Sequence, residues 1–224
     1  MKPRFFCLIA AIAVLLTVVH AATPLTAPQR VELLQRLQAL HTKHPSFQAH
    51  FTEQRNSRLL KKPIQSAGTI AFQLPNKFRR EITGASPSLT ISNGKELWIY
   101  YPNFQEAEQY TLGKRAIFDD ALAALTAGLN FGRVEEFYQL EITPETDGSY
   151  RILLTPKRSH LKKIVTQLVV YLDKDLTLRR TDLTLPKGDQ VQTTYTAQRN
   201  DPIPAVTFEF TPPAGANVSQ PLGK

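Results

Sequence analysis

The sequence predicts a mainly β fold, with about eleven strands in one antiparallel sheet curled toward a barrel and two amphipathic helices beside it. Short runs of alternating apolar and polar residues recur roughly every ten positions. Turn dipeptides such as Asn93-Gly94, Asp147-Gly148 and Lys187-Gly188 separate many of them. Only two stretches carry a helical period.

In chain order, Lys2 and Arg4 precede an apolar run over 5–19, and Ala21-Ala22 follow as small residues. This reads as a secretory leader over 1–22, because the run is short for a bilayer span and no stop-transfer segment follows. The remaining 23–224 is expected to form one exported domain. Cys7, the only cysteine, falls inside the leader and too early to be a lipid-attachment site. The mature chain therefore offers no disulfide, thiol nucleophile or cysteine metal ligand. It keeps 25 Lys and Arg against 19 Asp and Glu, a net charge of +6. Such a balance suits anionic surfaces and acidic partners but carries no information on fold.

The first helix begins at Thr26, a capping residue with Pro28 in the first turn, and places Leu33, Leu34, Leu37 and Leu40 on one stripe. His44-Pro45 ends it. A strand over 47–54 carries Phe47, Ala49 and Phe51 to a basic tip at 55–62, and 65–74 returns as its hairpin partner.

Residues 68–101 form the centre of the pattern. Ile70, Phe72 and Leu74 share one side of a strand, Pro75-Asn76 turns the chain, and Phe78, Arg80 and Ile82 share a side of the next. Leu89 and Ile91 lead into Asn93-Gly94, for which a type I′ turn is expected. The return strand 97–101 is apolar on both sides, so the direction of Trp98 and Tyr100 stays open.

A short strand over 107–112 precedes the second helix, where Phe118, Ala121, Leu122, Leu125 and Leu129 form the stripe, Asp119 and Asp120 suit the N-terminal dipole, and Gly128 marks the end. Strands are then expected over 139–143, 150–155, 164–173, 176–185, 190–198 and 206–210, before a polar tail. No repeat or linker suggests a second domain.

Catalytic groups are scarce. His41, His44 and His50 could approach a metal-ligand trio, but Pro45 interrupts the helix between them and no carboxylate cluster adjoins, so no metal site is expected. Ser159-His160 sits in the basic run 157–163 without a nucleophile elbow or an orienting acid, and reads as a surface turn. Nucleic-acid binding is disfavoured because the strand aromatics alternate with aliphatic residues rather than with Arg and Lys. The apolar face remains. It either packs as an ordinary core or, because a sheet of this many strands encloses more volume than two short helices fill, shelters a hydrophobic ligand beneath a helical lid.

Five collinear segments carry a resemblance: Phe-Gln-Ala-His-Phe-Thr-Glu-Gln at 47–54, Leu-Pro-Asn-Lys-Phe-Arg at 74–79, Ile-Ser-Asn-Gly-Lys-Glu-Leu-Trp-Ile-Tyr at 91–100, Leu-Leu-Thr-Pro-Lys at 153–157 and Phe-Glu-Phe-Thr-Pro-Pro-Ala-Gly at 208–215. In order and spacing the chain resembles the LolA family of periplasmic outer-membrane lipoprotein carriers. The resemblance implies an incomplete antiparallel β-barrel around an apolar cavity covered by short α-helices, in a monomeric periplasmic protein with no cofactor and no catalysed bond change. It also implies partners: acylated lipoproteins as cargo, an inner-membrane ABC transporter as donor, and an outer-membrane acceptor where one exists.

Alternation and likeness together place Phe51, Ile70, Phe72, Leu74, Phe78, Ile82, Leu89 and Ile91 toward the cavity, and Leu33, Leu37, Phe118, Leu122 and Leu125 on the lid side. Family members carry an arginine just before the Pro-Asn turn that hydrogen-bonds the lid; this chain has Leu74 there. Arg80 is the expected substitute lid contact. Lys157, Arg158, Lys162 and Lys163 are expected to dock an acidic partner. The alternatives are a carrier for another lipid and a regulatory module of the same fold, resembling a sigma-factor regulator.

Overall fold

A computed structural model describes residues 23–114 and 116–221, so the leader expected over 1–22 lies outside the described residues. Twelve strands form one sheet in the order β12-β6-β5-β4-β3-β2-β1-β11-β10-β9-β8-β7, with β7 and β12 at its two ends. Every pairing is antiparallel except the parallel contact of β12 with β6. The strands are β1 Ser46–Asn56, β2 Ile64–Gln73, β3 Lys77–Thr83, β4 Ser88–Ser92, β5 Glu96–Tyr101 and β6 Glu106–Thr111 in the first half. The second half has β7 Tyr138–Pro144, β8 Tyr150–Pro156, β9 Gln167–Leu172, β10 Leu178–Thr184, β11 Gln190–Arg199 and β12 Asn217–Ser219. The helices are α1 Ala27–Lys43, α2 Ala116–Thr126, α3 Val134–Phe137 and α4 Ser159–Lys162.

The first helix starts as the sequence predicts. Thr26 precedes Ala27, Pro28 sits in the first turn, and the Thr26 amide and hydroxyl both donate to Gln29 Oε1. Leu33 and Leu37 are buried, whereas Leu40 is partly exposed. The second helix stops at Thr126, earlier than expected, so Leu129 belongs to the turn that follows, its amide bonded to the Thr126 carbonyl.

One hydrophobic cluster unites the two helices with the concave face of the sheet. Leu33, Leu37 and Leu122 meet Phe51, Ile70, Phe72 and Phe78 from one half and Leu140, Ile152, Leu154, Val170 and Leu172 from the other. Gly68 is demanded by close approach. A Cβ there would lie 1.9 Å from the Glu81 carbonyl oxygen and 2.9 Å from the Phe51 ring.

The convex face has its own cover. Residues 203–210, expected to end in a strand over 206–210, instead form a 3-10 turn at Ala205–Phe208. Ile203 and Phe208 pack on Ala71, and Phe210 lies 5.6 Å from both Trp98 and Tyr100, ring centre to ring centre. Those two aromatics therefore face outward.

The same register corrects the expectation for Leu89 and Ile91. The β3–β4 turn sets Ile82 opposite Ser88 and Phe78 opposite Ser92, so Ser88, Thr90 and Ser92 share the concave face with Phe78, Arg80 and Ile82. Leu89 and Ile91 oppose Tyr100 and Trp98 and belong to the convex layer. The Asn93-Gly94 turn is a three-residue loop rather than type I′. Left-handed backbone falls on Gly94 alone, at φ 91°, while Asn93 Oδ1 accepts from the amides of Lys95 and Glu96.

Candidate functional site

On the concave face, apolar side chains from both helices and from both halves of the sheet converge. A charged group sits on its sheet side. Arg80, on β3, pairs with Glu53 on β1 and stacks on the Phe51 ring, with 4.4 Å from the guanidinium carbon to the ring centre. Glu53 also accepts from Thr193 Oγ1 at 3.1 Å, and Thr181 Oγ1 lies 3.3 Å from Tyr195 Oη. The pairing lets both charges sit on the inner surface at low exposure. The partners of Arg80 are thus strand residues, and the expected lid contact is not made by it.

Other groups hold the helices down. Arg158 Nη1 donates to Asp120 Oδ1 at 3.1 Å, and its guanidinium stacks on Phe137 at 4.2 Å. Asp120, on α2, is fully buried, and its second oxygen has no partner among the described residues. Asn130 Nδ2, in the turn after α2, donates to the Pro75 carbonyl at 3.1 Å. The amide of Leu25, just ahead of α1, donates to the Ile142 carbonyl on edge strand β7 at 2.7 Å. Each contact joins a helix or its flank to a different part of the sheet or its loops.

This changes the reading of the basic run. It folds around α4, where the Arg158 side chain pairs with the buried Asp120 while remaining 42% exposed. Lys157 Nζ donates to the Glu135 carbonyl at 2.7 Å. Lys162 and Lys163 remain exposed.

A cavity of about 290 Å³ opens at one end of the concave face. The C-terminal half of α1, the turn at 128–131 and the β9–β10 loop surround it, with Leu37, Phe72, Leu74, Phe131 and Leu178 in its wall. His41 also lines it, 6.0 Å from the Phe131 ring, with Nδ1 buried and unpartnered. Burial lowers the His41 pKa from its ordinary value, favouring the neutral ring.

The predicted apolar residues divide accordingly. Leu33, Leu37, Phe51, Ile70, Phe72, Phe78 and Leu122 are buried in the concave cluster, with Leu74 and Ile82 half-buried against it. Phe118 is half-buried beside Tyr110, ring centres 4.8 Å apart. The Leu125 side chain lies outside the described residues. Only Leu37, Leu74 and Phe72 of this set reach the cavity itself. None of the sequence-predicted residues comes from β7–β10, although Leu140 and Ile142, then Ile152 and Leu154, alternate as clearly as residues 70–74 and join the same buried cluster.

A sequence model described as outer membrane lipoprotein carrier protein LolA matches residues 42–211. The chain belongs to the LolA family. An outer-membrane lipoprotein carrier protein from Dechloromonas aromatica is 34% identical over 176 residues, covering 77% of this chain and 80% of that relative. One from Chromobacterium violaceum is 26% identical over 205 residues, 91% of this chain and 95% of the other. Among solved structures, an uncharacterized conserved protein from Thermus thermophilus matches with a TM-score of 0.51 at 12% identity, over 86% of this chain and 99% of that one, which shows a shared fold. LolA-family membership accords with the curled, helix-covered sheet. Among the described residues no group of three or more His, Cys, Asp or Glu could hold a metal ion, and no helix is long and apolar enough to cross a membrane.

Proposed function

We propose that this protein is a periplasmic carrier that shelters the acyl chains of lipoproteins on its concave face. In this reading it accepts them from an inner-membrane ABC transporter and delivers them to the outer membrane, without a cofactor and without catalysing a bond change. The observation that carries the reading is the continuous apolar cluster between α1, α2 and the concave face, in a member of the LolA family.

The physics is one of exchange. Each methylene kept from water is worth about 0.8 kcal/mol, so an acyl chain of about sixteen carbons needs shelter worth roughly 12 kcal/mol to leave a bilayer without penalty. The 290 Å³ cavity sits at the small end of ligand pockets, and a triacyl anchor requires more room. Loading therefore displaces α1 and α2. The leucines they withdraw, Leu33, Leu37 and Leu122, leave apolar floor that the cargo covers in their place. Because helix leucines and acyl methylenes are alternative covers for one floor, binding stays loose enough for release.

Mass spectrometry of material co-purified from the periplasm tests this. Triacylated lipoprotein is the expected cargo. Free glycolipid or another lipid in its place replaces this reading with that of a carrier for a different lipid, and an empty protein that fails to bind an acyl probe overturns both.

A further inference from the structure

We propose that the turn between β1 and β2 is a membrane-docking tip that seats the protein on anionic phospholipid headgroups. Leu59 at its apex is 92% exposed, and Leu60 and Ile64 are about half exposed at 47% and 50%. Around them stand Arg58, Lys61 and Lys62, all exposed, and Lys187 from the adjoining β10–β11 turn. The only carboxylate in these two turns, Asp189, is occupied by Arg55 at 2.8 Å. No ion pair involves Arg58, Lys61, Lys62 or Lys187 among the described residues.

Shape and charge together select a lipid surface over an acidic protein. The tip, residues 57–63, lies past the last rung of the sheet, since β1 pairs with β11 only as far as Asn56 opposite Gln190 and with β2 only as far as Arg55 opposite Ile64. A bilayer accepts a projecting tip without a matching hollow. Two adjacent bare leucines ringed by cations satisfy the acyl boundary and the phosphates above it at once. The antiparallel order brings the β5–β6 turn to the same end of the sheet, where Phe104 is 74% exposed. A groove of about 660 Å³ opens beside the hairpin stalk, lined by Gln54, Ile64, Ser66, Ile82 and Ser86. Adsorption is a property of the tip itself; only its use in delivery rests on the carrier reading.

Flotation of the mature chain with vesicles tests the proposal. Binding is expected to phosphatidylglycerol-containing vesicles at low salt, to fall at high salt, and to be absent with phosphatidylcholine alone. Leu59→Ser with Leu60→Ser should weaken it more than about tenfold, and Lys61→Glu with Lys62→Glu by about twentyfold or more. Because these side chains are exposed, circular dichroism and the urea midpoint should stay at wild-type values. A Leu59→Cys variant of the otherwise cysteine-free mature chain, carrying an environment-sensitive dye, should shift to the blue on anionic vesicles. Wild type that stays unbound, a leucine variant that floats as well as wild type, or a dye that does not shift overturns the proposal. So does a result in which the tip variants keep vesicle binding and lose only capture of a protein partner. Acyl-probe binding, measured separately, is expected to survive in all tip variants; its absence in wild type would sink the carrier reading and leave the tip untouched.

Discussion

Asp120 and Arg158 show how one pair of residues ties down a helix. The carboxylate is fully buried with one oxygen on Arg158 and the other unpartnered, so removing the guanidinium strands a charge inside the protein. Arg158→Met should lower stability by about 1–3 kcal/mol in urea unfolding and speed release of a bound acyl probe, and adding Asp120→Asn should recover much of the loss. His41 sets a pH limit of a different kind. Its folded-state pKa lies below the ordinary 6.5, so the unfolded chain takes up a proton first as pH falls. Stability should decline through the window below pH 6.5, and His41→Gln should flatten that decline when urea midpoints are compared across pH. Arg158 illustrates what a sequence can and cannot give at this scale. Its charge and basic neighbours read as an exposed docking patch, and nothing in their spacing reveals an aspartate 38 positions earlier. Alternation alone places Arg80 on the correct side of its strand; its partner Glu53 depends on β1 lying two strands away.

At the scale of elements, each strand's inner and outer residues are legible, but the join between strands is not. Alternation fixes that Leu89 goes with Ile91 and Phe78 with Ile82. Which pair faces the helices depends on whether the β3–β4 turn has an odd or even number of residues, and the loop around Pro87 gives no clear count. The 3-10 turn at Ala205–Phe208 escapes a sequence reading because Val206, Phe208 and Phe210 alternate like a strand while lying flat across others. That segment has a measurable role. Trp98 is the only tryptophan, and Phe210 covers it on the convex side. Phe210→Ala should shift its emission to the red and lower stability by about 3 kcal/mol or less, since Phe210 is only partly buried. Acyl ligands entering the concave face should leave that emission unchanged.

For the whole molecule, the sheet's two faces divide the work. The convex layer of Leu89, Ile91, Trp98 and Phe210 is sealed by the chain's own C-terminal segment, while the concave layer is covered by helices tied at a few polar points. Curvature and lid are legible from strand number and two helical stripes; the small cavity is not, because its volume depends on how far the helices settle. In a closed barrel, strand number and shear fix the diameter. Among the described residues, β7 and β12 terminate the sheet without pairing to each other. Affinity for a series of acyl probes should therefore climb by about fourfold per added methylene, well beyond the length that 290 Å³ would hold, as isothermal titration would show. A wall left unsewn along one seam behaves like a purse rather than a socket: its capacity is set by what is put into it.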